Sequence, residues 1–224
     1  MQETKLTSKE KKVFEGLTRR LKVPKRKTKV QVVMGMVGLV GSGVTSVARE
    51  LTRGIGAVVL DADDVRVLLR KEKTGYGHVR EIVLELAEHV LAQGGNIVID
   101  SDHIDPNKRN KLKKLTKDRG AELYFVRTVC NPDVMLGRMI TTHYGSTSKD
   151  LFQASETAWR GKYGAAVDKI REFWRRTPLH YFWNSENGGS WVSKSMSFIY
   201  AEIDTTDGKK WKAEVKQVAA KLLR

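Results

Sequence analysis

Nine residues, Gly38-Leu39-Val40-Gly41-Ser42-Gly43-Val44-Thr45-Ser46, carry the most specific chemistry in the sequence. Successive backbone N–H groups in a glycine-rich turn, joined to the start of a helix, form a concave positive cradle for phosphate oxygens. From Gly38 to Thr45 the spacing fits the phosphate-loop pattern G-x-x-x-x-G-K-[ST], with Val44 standing where the lysine belongs. In that register Gly38, Gly41, Ser42, Gly43, Val44, Thr45 and Ser46 bind the nucleotide, and the Thr45 hydroxyl is a ligand for Mg²⁺. The missing lysine normally reaches the β- and γ-phosphates, so its loss weakens binding and transfer unless another cation replaces it. Two other readings fit the same letters. Gly41 to Ser46 matches the dinucleotide pattern G-x-G-x-x-G/A with Ser46 at the third glycine, and Asp61 stands where an acid would hold the ribose. The stretch could also be a tight turn that binds nothing.

Acidic residues recur where strands should end. Asp61-Ala62-Asp63-Asp64-Val65-Arg66 offers a carboxylate, Asp63, that can take a proton from an acceptor hydroxyl, and an arginine three residues on, Arg66, that can orient the acid or grip a phosphate. The plainer reading is that Asp63 or Asp64 caps a helix Val65–Lys71. Ile97-Val98-Ile99-Asp100-Ser101-Asp102 delivers Asp100 to a sheet edge, where it can hold the water shell of Mg²⁺, with Asp102 placed to contact the acceptor. Arg138 lies on a helix leading into a polar segment that also holds Arg160 and Lys162, and a cation entering from such a lid stabilises phosphoryl transfer.

These groups need a scaffold, and from Val30 the pattern alternates between β- and α-type segments. Strands are expected at Val30–Met36, Ala57–Leu60, Asn96–Ile99 and Glu122–Val129, with a fifth at Phe198–Ile203. Helices are expected at Thr45–Arg53, Val79–Gln93, from the Asp105 cap to Gly120, at Pro132–Thr142, at Ala165–Arg176 where Pro178 stops it, and at Lys209–Leu223. Strands that read as unbroken apolar runs, each followed by a helix, argue for a parallel sheet covered on both faces. A lid is placed at about 141–164 and a small aromatic hairpin insertion at about 178–195. The aromatics Trp174, Tyr181, Phe182, Trp183 and Trp191 could stack bases, but a small core under the hairpin is the simpler reading. His103 follows the third strand and could face the acceptor.

The 224 residues carry 41 Lys and Arg against 26 Asp and Glu, a net charge of +15, with 40% hydrophobic residues and five Trp. That excludes a disordered tail or a fibre. No apolar run is long enough to span a membrane, and the N-terminus is too charged for a secretory signal. The lone Cys130 cannot form an internal disulfide, which fits a cytoplasmic location. Residues 1–29 hold eleven basic and three acidic side chains. They read as an N-terminal unit: an amphipathic helix Thr4–Leu21, opened by the capping box Thr7…Glu10, and the basic linker Lys25–Lys29. The stretch 5–29 could contact nucleic acid nonspecifically through phosphates, and residues 30–224 form the second unit.

Taken together, Gly38–Ser46, Asp63–Arg66, Ile97–Asp102 and the Arg138 helix resemble the small P-loop kinase group that includes polynucleotide kinase, zeta-toxin and related small-molecule kinases. The Lys-free loop is similar to that of the 2-phosphoglycerate kinases. The resemblance implies a P-loop NTPase three-layer α/β sandwich with a five-stranded, mainly parallel sheet. It makes Asp63 the general base, Arg66 the acceptor-side arginine and Arg138 the lid arginine. The implied function is transfer of the γ-phosphate of ATP, with Mg²⁺, to a hydroxyl of a small-molecule or nucleotide-like acceptor. Because of Val44, a nucleotide-binding pseudokinase with little turnover competes with it, and an NAD(P)-binding Rossmann protein is a third reading.

Overall fold

The computed structural model describes residues 6–141 and 164–223, with backbone alone for 164–166. The chain opens with α1 (Ser8–Thr18), then β1 (Val32–Val37), α2 (Val44–Ile55), β2 (Ala57–Asp61), α3 (Ala62–Lys71), α4 (Val79–Ala92), β3 (Asn96–Asp100), α5 (Pro106–Arg119), β4 (Glu122–Val129) and α6 (Pro132–Thr141). After the undescribed stretch come α7 (Gly164–His180), β5 (Tyr181–Asn184), β6 (Ser190–Ser193), β7 (Ala201–Asp204) and α8 (Trp211–Leu222).

Five strands form one sheet in the order β2-β3-β1-β4-β7, all parallel. Every residue of β1 and β3 is buried, as strands covered on both faces require. One face packs against α1, α3, α4 and α5 through residues such as Val33, Ile82, Leu86 and Leu112. The other packs against α2 and α8 through Met34, Leu51, Val98 and Val215. The expected three-layer sandwich is therefore present, and β5 and β6 form the small antiparallel hairpin. Since β3 lies between β1 and β2, the strand order is not that of the dinucleotide-binding fold, in which those two are neighbours. The NAD(P) reading is corrected on that ground.

Three local expectations are also corrected. Asp61, not Asp63 or Asp64, caps α3: its Oδ1 accepts the Asp63 amide at 2.8 Å, so both later acids lie in the first helical turn. Helix α7 does not stop before Pro178 but runs to His180. A proline this close to the end forgoes a single backbone bond, to the carbonyl of the solvent-exposed Trp174. The last sheet strand starts later than the apolar run Phe198–Ile203 suggests, at Ala201; Phe198 and Ile199 instead pack on the core beside Phe125.

Helix α1 has the expected capping box, and its apolar side, with Val13, Phe14 and Leu17, joins the core on the α3–α4 side. The basic linker is in part structural. Lys27 Nζ donates to the Arg53 carbonyl at 2.8 Å and Arg26 to the Gly94 carbonyl at 3.3 Å, placing cations where helices α2 and α4 end. Beside them the fully buried Asn96 pins the amino ends of the strands. Its Nδ2 donates to the Ile55 carbonyl and to Thr28 Oγ1, both at 2.9 Å, and its Oδ1 accepts the Val32 amide at 2.9 Å. Among the described residues, no helix is long and apolar enough to cross a membrane.

Candidate active site

The glycine loop joins β1 to α2 at the carboxyl edge of the sheet, beside the ends of β2, β3 and β4. Gly41 and Gly43 have φ of +85° and +82°, a region costly for any residue with a Cβ, so these two glycines set the loop's curve. Gly38 is required for a different reason. A Cβ there would stand 2.2 Å from Thr128 Oγ1. Ser42 is fully buried: its hydroxyl lies 2.7 Å from both the Leu39 carbonyl and Thr128 Oγ1, and its amide closes the turn onto Leu39. It therefore shapes the loop from within, whereas the amides of Val44, Thr45 and Ser46, in the first turn of α2, have no carbonyl behind them. Thr45 and Ser46 are exposed, and Val44 turns partly into the core shared by α2 and α8.

The loop is bolted in place from three sides. Thr205, just after β7, donates its hydroxyl to the Ser42 carbonyl at 2.7 Å. Arg138, from α6, donates to the Gly41 carbonyl at 3.2 Å and to the Thr205 carbonyl at 2.5 Å, so its guanidinium lies against the loop that lacks its lysine. Asp102 accepts the Gly38 amide at 3.2 Å. The other Asp102 oxygen takes an ion pair from Arg176 and a hydrogen bond from His180 at 3.1 Å, both on α7. Burial alone would raise this carboxyl, but the His180 hydrogen bond and the charges of His180 and Arg176 hold it below the usual aspartate value. Asp102, expected to contact an acceptor, is occupied as a brace between the loop and α7.

Asp61 and Asp100 are register partners at the ends of β2 and β3. Burial first, and then the facing Asp100, push Asp61 up to about 7. Asp100 is raised as well by burial, against a hydrogen bond from Thr45, and its buried Oδ2 has no hydrogen-bond partner among the described residues. Two desolvated carboxylates beside an exposed threonine hydroxyl, one with an orphaned oxygen, are the donor set that a hard divalent cation takes. The residues present fit Mg²⁺. No group of three or more His, Cys, Asp or Glu suited to a metal occurs among the described residues, so the remaining ligands would be phosphate oxygens and water. Asp63 projects from the first turn of α3 and is held by Arg66 at 2.5 Å. Asp61 was the residue sequence reasoning placed only in the dinucleotide reading; its position at a strand end beside Asp100 was the signal that could have found it.

The glycine loop, Thr45, Asp61, Asp63, Asp100, Arg138 and Arg176 line one cavity of about 1030 Å³. A second cavity of about 380 Å³ adjoins it beneath α4, and Ala62, Arg66, Tyr76, Ser101 and Lys108 line both. The lid expected at 141–164, with Arg160 and Lys162, lies outside the described residues apart from its two end positions. In the hairpin region, Tyr181 and Phe173 are buried with Cys130 and Met135, while Trp174, Phe182 and Trp183 are exposed.

A parallel α/β sheet with a glycine loop between β1 and α2, and acids at the ends of the neighbouring strands, defines a P-loop NTPase. Residues 33–159 match the family described as AAA domain, and the chain belongs to that family. Among solved structures, the fold is similar to a protein of Chloroflexus aurantiacus j-10-fl provisionally described as a kinase, with a TM-score of 0.56 at 12% identity over 88% of this chain and 100% of that one. It is also similar to APE1195, with a TM-score of 0.52 at 14% identity over 88% of this chain and 98% of that one. Both likenesses concern the fold. No curated protein matches the sequence.

Proposed function

We propose that the protein is an ATP- and Mg²⁺-dependent phosphotransferase that moves the γ-phosphate to a hydroxyl of a small-molecule acceptor. The observation that carries this reading is the pair of joined cavities, with the glycine loop, Asp61 and Asp63 in one and Arg66 at the passage to the other. Thr45 and Asp100, with Asp61 beside them, would hold Mg²⁺, which supplies neutralising charge for the β- and γ-phosphate oxygens. The free amides at the start of α2 receive phosphate oxygens, and Arg138 and Arg176 add positive charge where lysine is missing. Arg66 fixes the Asp63 carboxylate, which takes the acceptor's proton. The acceptor oxygen bonds to the γ-phosphorus while the bond to the β–γ bridging oxygen breaks, and ADP leaves.

The test is calorimetric titration with Mg²⁺·AMPPNP, followed by assay of ADP release across hydroxyl compounds. Binding together with acceptor-dependent ADP release supports the reading. Absence of nucleotide binding overturns it. Binding with no turnover for any acceptor would favour the pseudokinase reading, whose supporting observation is Val44 in place of the phosphate-neutralising lysine.

A further inference from the structure

The cavity beneath α4 has a charge that nothing in the phosphate-binding machinery explains. Among the described residues, four cations line it, Arg66, Arg80, Lys108 and Lys111, against a single carboxylate, Glu81. Lys111 neutralises Glu81 at 2.7 Å, Arg66 is held by Asp63, and Arg80 pairs with Asp105 at 3.8 Å, its one salt bridge among the described residues. Lys108 has no carboxylate within salt-bridge distance among the described residues. Its ammonium donates to the Asp102 carbonyl at 2.9 Å and, at 3.4 Å, to Ser101 Oγ, which leaves a third N–H unused. It stands at the join, lining both cavities. The imidazole of His103 in the wall is neutral: it is almost wholly buried and pushed down to about 4. A volume of about 380 Å³ is at the small end of small-molecule sites, which run from roughly 300 to 1,000 Å³.

We propose that this cavity is the acceptor site and that it takes a small hydroxyl compound bearing an anionic group, a phosphate or a carboxylate, held by Lys108 and Arg80. This rests on the phosphotransferase reading and names the substrate class for it. An uncompensated ammonium in a half-enclosed wall is unfavourable until a counter-charge arrives. Burial already holds Lys108 below the ordinary lysine value, and the charges of Arg176, Arg80 and Arg66 add to this against the pull of Asp102. A bound anion removes that cost, and a neutral acceptor does not. Arg80, on α4, lines the smaller cavity with Lys108, and Lys108, Ala62 and Arg66 also line the larger cavity that holds Asp63, so a short molecule whose anionic group is held by the two cations can present its hydroxyl at the join.

The experiment uses the full chain saturated with Mg²⁺·AMPPNP, so that the glycine loop is filled, and titrates glycerol 3-phosphate, glycerate and glycerol by calorimetry. One of the two anions binds and glycerol does not; whichever anion binds more tightly identifies the group as phosphate or carboxylate. Lys108→Met and Arg80→Gln each weaken that binding at least tenfold, Lys108→Arg retains it, and Lys117→Met, on the exposed side of the same helix, leaves it unchanged. Equal binding of glycerol, binding of neither anion, or anion affinity unaltered in both Lys108→Met and Arg80→Gln would overturn the proposal. Failure of AMPPNP to bind overturns the nucleotide reading instead. The titration without nucleotide then still decides the acceptor site, because Arg80 lines only the smaller cavity.

Discussion

Asp102 and Arg176, 74 residues apart, are joined by an ion pair that connects the end of β3 to α7, while the same carboxylate receives the Gly38 amide from the glycine loop. The glycine loop and α7 are thus tied to one carboxylate. Removing one partner of this half-buried pair leaves the other charge poorly compensated. Asp102→Asn is therefore expected to cost roughly 2 kcal/mol in urea unfolding and to weaken Mg²⁺·AMPPNP binding. Lys12→Met, which removes the exposed pair with Glu72, changes stability by about 1 kcal/mol at most.

Asp63→Asn is expected to lower kcat by about 10²-fold or more while leaving the Kd for Mg²⁺·AMPPNP within a factor of two, because the proton acceptor acts only in the chemical step. Asp100→Asn should instead raise the Mg²⁺ concentration needed for nucleotide binding. A wild-type rate in Asp63→Asn would remove that residue from the base role.

Val44→Lys restores the loop pattern and is expected to tighten ATP binding up to tenfold, read by calorimetry. Unchanged or weaker affinity would mean that Arg138, already held against Gly41, fills the charge requirement and that the new ammonium only disturbs the core packing of Val44.

His103 gives a pH prediction. Its Nδ1–H donates to the Met36 carbonyl, 2.9 Å away, and burial holds it neutral down to about pH 4, whereas in the unfolded chain it titrates at its ordinary value of 6.5. Between those values the unfolded state binds a proton that the folded state does not. Stability from this group is therefore complete above pH 6.5 and is lost as pH falls toward 4, with a slope of up to about 1.4 kcal/mol per pH unit. His103→Asn, compared with wild type by thermal melts from pH 8 to 4.5, should show a correspondingly flatter acid limb.

Much of the fold was legible because its signals are local. Apolar runs closed by Asp61 and Asp100, the Asp105-Pro106 helix start and the glycine spacing all act over a few residues. What was not legible depends on residues brought together by the fold. Asp102 resembles an acceptor contact until Arg176 and His180 arrive from α7 to occupy it. Lys108 reads as one of several lysines on a basic helix, and only the sheet edge turns it into the wall of two cavities. The role of Asp61 as cap and as the neighbour of Asp100 needed the parallel register of β2 and β3. Pro178 does not end α7, because in the last turn a proline removes only one backbone hydrogen bond.

β3 carries Asn96 at one end and Asp100 at the other, and the two ends serve unrelated purposes. The amide of Asn96 closes the rim where Thr28, Val32 and Ile55 meet, with nothing of the reaction near it; the carboxylate of Asp100 opens onto the cavity. Substitution of Asn96 at the amino rim should register in melting temperature and leave the kinetic constants where they were, while Asp100→Asn at the other end does the reverse. Durability and turnover can thus be adjusted independently in this chain, and the amino rim is where a tether or reporter would disturb catalysis least.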